Sequence, residues 1–198
     1  MTEREAFLIV DVQFDFLPGG ALAVPHGDEV LKPILRRAAD FRTIVLSQDW
    51  HPPDHFSFAS RHGRQPFESL EAEGHQQILW PDHCIQNSYG AEIHPGILGL
   101  GPASVIRKGT NPAIDSYSAF FDNRTMHQTG LDAWLKSKDI SRLVVSGLAT
   151  DYCVKYTVLD GLSLGYSVEL FLPGCRGIKE DVKADLDEMA AAGAGISG

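Results

Sequence analysis

The feature that most constrains this chain is a series of short apolar, β-branched runs separated by longer stretches of helical periodicity. The runs fall at residues 7–10, 43–46, 104–106, 143–146 and 168–172, each bounded by polar, Gly or Pro residues. Runs this short without polar alternation read as strands buried on both faces. Helical patterns occupy residues 28–41, 131–138, 152–164 and 179–192, the second behind a Thr129/Asp132 capping box. The alternation predicts an α/β fold, a three-layer αβα sandwich on a central, mainly parallel sheet of about six strands. In such sheets the working residues gather in loops beyond the carboxyl ends of the strands. The Gly/Ala-rich tail AAAGAGISG fits either a weak last strand or a frayed end.

With 198 residues and 43% hydrophobic side chains, the chain is expected to form one domain over residues 1–198. Residues from about 49 to 101 have little periodicity and much Pro, Gly and His, a long excursion of the kind that carries function. A net charge of −9 repels phosphate backbones and anionic bilayers, so neither nucleic acid nor membrane is expected as a partner. The start, MTEREAFLIVD, lacks the apolar stretch of a signal peptide, and the expected location is cytoplasmic. Three cysteines, Cys84, Cys153 and Cys175, argue against a disulfide framework and leave thiol chemistry open.

Three clusters carry chemical meaning. Asp11 ends the first strand in IVDVQFDFLPGG, a carboxylate where α/β sheets place catalytic groups, although a lone Asp there often serves only a turn. In QDWHPPDHFSF, Asp49 and His51 are two residues apart and point the same way in extended chain; His55 follows, and LWPDHC adds His83. Carboxylate and imidazole donors of this kind suit one catalytic divalent metal ion, zinc first, with iron or manganese as alternatives. In VVSGLATDYCV an apolar strand runs through Gly147 into a helix start marked by Thr150 and Asp151. Cys153 then falls in the first helical turn, where unpaired N–H groups and the dipole favour a thiolate and can hold an oxyanion. Cys84 and Cys175 lack that setting and read as structural. Lys108, after the strand SVIR, is a candidate cation for the same sheet edge.

Taken in order, IVDVQFDF, SQDWHPPDHFSF, LWPDHC, RKGTNPAIDSYSAFFDN and GLATDYCV resemble the nicotinamidase (pyrazinamidase) branch of the isochorismatase-like cysteine hydrolases. The resemblance spans about 150 residues. It implies that Asp11, Lys108 and Cys153 are the catalytic group, that Asp49, His51 and His83 hold the metal, and that His55 matches a ligand used in some members only. It further implies an oxyanion hole from the N–H groups of Ala149 and Cys153, a cis Leu148–Ala149 peptide, and aromatic ring contacts at Phe14 and Trp80. Isochorismatases proper lack the cysteine, so its presence implies cleavage of a small ring carboxamide such as nicotinamide or pyrazinamide, through a thioester, in NAD salvage. A homo-oligomer stays open.

Three alternatives compete with this reading. A sibling amidase acting on a carbamoyl or ureido substrate would not need the metal set, and a silent binding module would not need Asp11, Lys108 and Cys153 together. A dinucleotide-binding protein shares the alternation, but no G-x-G-x-x-G follows any strand.

Overall fold

In the computed structural model, which describes residues 4–72 and 75–198, the elements follow in the order β1 (Glu5–Val10), α1 (Leu31–Ala38), β2 (Ile44–Asp49), β3 (Ser69–Ala72), β4 (His75–Ile78), α2 (Pro95–Leu98), β5 (Ser104–Lys108), α3 (Leu131–Ser137), β6 (Arg142–Leu148), α4 (Lys155–Ser163), β7 (Ser167–Arg176), α5 (Lys183–Ala191) and β8 (Gly195–Ser197). Side chains of β1 alternate between two cores. Phe7 and Ile9 pack with Ile34 and Ala38 of α1, whereas Ala6, Leu8 and Val10 pack with Leu131 and Leu135 of α3, Val158 of α4 and Met189 of α5. Burial on both faces explains why the run carries no polar alternation. Each large side chain removed from water in this way contributes about 1.5–3 kcal/mol. The result is the three-layer αβα sandwich.

Six parallel strands lie in the order β5-β2-β1-β6-β7-β8. The chain builds outward from β1 through β2 to β5, then returns to the other side of β1 with β6. Between β1 and β6 the winding reverses, and their carboxyl ends open a crevice, the usual ligand position in such sheets. Gly147 makes that neighbourhood tight: its φ is +125°, and a Cβ there would lie 2.0 Å from the Val10 carbonyl oxygen.

Several expectations change in detail. The tail forms β8, paired with β7 through Glu169 to Phe171. The 49–101 excursion contains an antiparallel hairpin, β3 with β4, too short to show in the periodicity. The Thr129/Asp132 capping box does not form. Gly130, at φ +94°, holds the cap position, and the Thr129 hydroxyl accepts the nearer Leu131 N–H at 3.2 Å. Asp132 turns instead to Lys136 and the Tyr166 hydroxyl, both at 2.8 Å. A π-helical turn, Thr150–Val154, precedes α4, and α5 starts at Lys183 rather than 179.

Candidate active site

Asp11 leaves β1 with φ +49° and no solvent exposure. The Ser47 hydroxyl of β2 donates to its Oδ1 at 2.6 Å, and Lys108 Nζ stands 2.9 Å from its Oδ2. Lys108 ends β5, two strands away, opposite Asp49 in register. Strands lie about 4.8 Å apart, so only a long stem reaches from β5 past β2 to β1. On the way the Lys108 ammonium donates to Asp49 Oδ1 at 2.7 Å and to the Ser116 carbonyl at 2.9 Å, and it lies 3.4 Å from Cys153 Sγ. Asp11 and Lys108, foreseen at the ends of two strands, and Cys153, foreseen in a helix start after a third, therefore meet at one point, with ligand atoms of Asp11, Asp49 and Cys153 within 4.8 Å of one another.

Charge in this cluster follows from burial and partners. Burial pushes the Asp11 carboxyl up, and the Lys108 ammonium only partly offsets it. Burial acts on Asp49 in the same sense, but Lys108 and His51 override it and hold Asp49 well below the usual carboxylate range. Lys108 would lose its proton to burial alone, yet the Asp11 and Asp49 carboxylates keep it firmly protonated. The helix-start expectation for Cys153 is reversed in the resting protein. Burial raises the thiol well above its ordinary value against the pull of Lys108, with Asp11 and Asp49 adding to the rise. Thiol and carboxyl are thus both shifted toward holding a proton, the arrangement of a pair that passes one between them.

Asp49, His51 and His83 offer ligand atoms within 4.8 Å of one another, all buried. Each imidazole is aimed by its other nitrogen: His51 Nδ1 donates to the Gly109 carbonyl at 2.9 Å and His83 Nδ1 to the Pro81 carbonyl at 2.8 Å. Their Nε2 atoms then face Asp49 Oδ2 at 3.4 and 3.8 Å, the outer-shell orientation metal-binding histidines require. The His55 ring lies 4.1 Å from that of His51 between centroids. Its Nδ1 bonds the Ser57 hydroxyl at 2.8 Å, while its Nε2 is buried without a hydrogen-bond partner. An orphaned imidazole nitrogen in such a place fits a cation ligand, and burial next to His51 lowers its pKa to about 4, so it stays neutral. Asp115, also buried, completes a further group with His51 and His55.

Above this floor lies a narrow cavity of about 20 Å³ lined by Asp49, His83, Cys153, Ala149, Trp80 and Tyr117, with Phe16, Leu22, Tyr152 and Ile178 around them. A wider depression of about 360 Å³ adjoins it through Asp115 and Tyr117 but has no cysteine or histidine among its described lining residues, so size does not locate the chemistry. Trp80 stands in the smaller cavity as expected. Phe14 does not: its ring stacks on Tyr89 with centroids 4.2 Å apart, and Phe16 takes the place foreseen for it. Phe14 and Phe16 sit in one tight 3-10 turn, Phe14–Phe16, where residues two apart diverge, so the cavity position that the resemblance assigned to Phe14 falls to Phe16. Tyr117, Tyr152, Asp115 and Ser47 were also missed; only Ser47, two residues before Asp49 on β2, had a readable signal. The Leu148–Ala149 peptide is cis. The Ala149 carbonyl accepts the N–H groups of Tyr152 and Val154, on either side of Cys153, and Ala149 and Cys153 both border the cavity.

An αβα sheet that gathers carboxylate, ammonium, thiol and a metal-ligand set at its switch point has the architecture of a hydrolytic enzyme. The chain belongs to the isochorismatase family, whose domain model matches residues 5–198. It is 50% identical to the nicotinamidase of Escherichia coli strain K12 over 197 residues, covering 96% of this chain and 92% of that protein. The solved nicotinamidase/pyrazinamidase of Acinetobacter baumanii is 40% identical and superposes with a TM-score of 0.95, covering 99% of this chain and 96% of that one. The pyrazinamidase of Pyrococcus horikoshii, solved in complex with zinc, is 35% identical with a TM-score of 0.79, covering 98% of each chain. The chain is an amidohydrolase. Among the described residues no helix is long and apolar enough to cross a membrane.

Proposed function

We propose that this chain deamidates nicotinamide, and pyrazinamide likewise, to the ring carboxylate and ammonia through a thioester on Cys153. Asp11 takes the thiol proton; the sulfur attacks the carboxamide carbon, and the N–H groups of Ala149 and Cys153 hold the oxyanion. Collapse of the tetrahedral species expels ammonia with the proton from Asp11. Water then hydrolyses the thioester, with Asp11 as base, and frees the thiol. Lys108 stabilises the carboxylate of Asp11 and the sulfur anion as each forms. Phe16 and Trp80 line the ring site. Asp49, His51 and His83, with His55, would hold one divalent ion, zinc foremost and iron or manganese as alternatives, which supplies a Lewis acid for a ring nitrogen and for water. One domain spans residues 1–198 in this reading. It works in the cytoplasm, returning nicotinate to NAD salvage.

The observation that carries the reading is the meeting of Asp11, Lys108 and Cys153 beneath a narrow cavity bordered by Asp49 and His83 and walled by Phe16 and Trp80. Ammonia release from nicotinamide, with and without prior chelation, tests it. Activity lost on chelation and restored by a divalent ion is expected. No ammonia from nicotinamide or pyrazinamide in metal-loaded protein would redirect the assignment to carbamoyl or ureido substrates.

A further inference from the structure

Asp151 is 1% exposed and stands two residues before Cys153, where the sequence suggests a helix-start residue. Its carboxylate is used elsewhere. Oδ1 accepts the N–H of Ile178 at 2.9 Å and Oδ2 that of Lys179 at 3.0 Å. Both backbone groups belong to the loop between β7 and α5. The approach is close: a Cβ on Gly177 would lie 2.4 Å from Val182 Cγ1 and 3.2 Å from Asp151 Oδ1. Lys179 adds a second fastening, its ammonium 3.1 Å from Asp185 Oδ2 and 5.9 Å from the centre of the Tyr152 ring. Between these anchors the Ile178 side chain borders the cavity with Phe16, Leu22 and Tyr152.

A buried carboxylate that gives one oxygen to each of two consecutive amides makes two charge-assisted bonds and fixes the direction of the peptide between them. Asparagine could serve one amide but would turn its own NH2 toward the other. We propose that Asp151 is a positioning residue that holds Ile178 as a wall of the cavity, and that this wall sets the affinity for a single flat ring and excludes bulkier carboxamides. The nature of the ring rests on the proposed deamidation; the wall does not.

The test compares wild type with Asp151→Asn, Asp151→Ala, Ile178→Ala and the Asp151→Ala/Ile178→Ala double variant, using nicotinamide kinetics, amide hydrogen exchange and alkylation of Cys153 by iodoacetamide and by the bulkier N-phenylmaleimide. In Asp151→Ala and in Ile178→Ala, KM should rise about tenfold while kcat falls less than about threefold, and the double variant should be no worse than the weaker single variant. Exchange at Ile178 and Lys179 should speed up in both Asp151 variants, with Asn intermediate. Phenylmaleimide should gain on iodoacetamide at Cys153. A collapse of kcat at unchanged KM would place Asp151 in the nucleophile turn alone and overturn the proposal, as would KM effects that multiply in the double variant or unchanged exchange at both amides. If Asp151→Ala does not fold, Asp151→Asn and Ile178→Ala carry the same comparisons. If wild type releases no ammonia from nicotinamide, the substrate reading fails while exchange and the alkylation ratio still decide the wall.

Discussion

Gly109 follows Lys108 directly and adopts φ +64°; a Cβ built there lies 2.3 Å from His51 Cε1, 2.6 Å from His51 Nδ1 and 3.1 Å from Asp49 Oδ1. Gly109→Ala therefore carries two costs. The left-handed backbone costs an L-residue about 1–2 kcal/mol. The overlap also pushes His51 off the Gly109 carbonyl, a hydrogen bond of 2.9 Å whose loss costs about 1 kcal/mol. The sum, about 2–3 kcal/mol, corresponds to a fall in Tm of roughly 4–12 °C for a chain of this length. Loss of the group that orients a ligand histidine should weaken divalent-metal affinity about 10–100-fold. Gly101 is the control, since its φ is +67° and nothing lies within 4 Å of an added Cβ. Gly101→Ala should show the strain alone, about 2–8 °C, with wild-type metal affinity. Calorimetry of the metal-free proteins and zinc titration against a competing chelator read the two effects. If Gly109→Ala matches Gly101→Ala in both Tm and zinc affinity, the inferred overlap with His51 is wrong.

Lys108→Ala leaves the buried carboxylates of Asp11 and Asp49 without their shared cation; urea unfolding should show a loss of about 3–5 kcal/mol, and a loss under 1 kcal/mol would contradict the charge balance described above. Iodoacetamide should label Cys153 ahead of Cys84 and Cys175, because Cys153, 7% exposed, borders the active-site cavity whereas Cys84 has no exposure and Cys175 only 3%; equal labelling by peptide mapping would count against a cavity route. Burial would raise the Asp185 carboxyl, but Lys155 and Lys179 override it and hold it below its ordinary value. Its contribution is present above the unfolded carboxylate pKa and is lost as pH falls through the lower folded one. Asp185→Asn should therefore cost roughly 1 kcal/mol at neutral pH and lessen the acid dependence of unfolding; an unchanged acid limb would remove Asp185 from that account.

Strand cores, the sheet class and the chemically active residue types are local properties, legible because buried parallel strands need unbroken apolar runs and because Asp11 and Lys108 follow such runs closely while Cys153 follows one across a strand-to-helix turn. Helix starts were less legible. Residues 179–182 read as the start of the last helix, yet that helix begins only at Lys183, whose N–H donates to the Asp181 carboxylate at 2.8 Å. Phe14 and Phe16 have the same composition and neighbourhood, and only the turn between them decides which ring enters the cavity.

The order of residues by itself determined that this is an αβα protein with a lysine and carboxylates at strand ends and a cysteine at a helix start, and the succession of its motif blocks determined the family it resembles. Tertiary structure decided the rest: that β5 lies two strands from β1, so that Lys108 must span β2 to reach Asp11; that burial keeps Cys153 a thiol where the helix start alone favoured a thiolate; and that Asp151 serves a cavity wall. The physical reason is common to all three. Strand order, desolvation and the partner of a buried carboxylate depend on groups dozens of residues away in sequence, which only packing brings within a few ångströms.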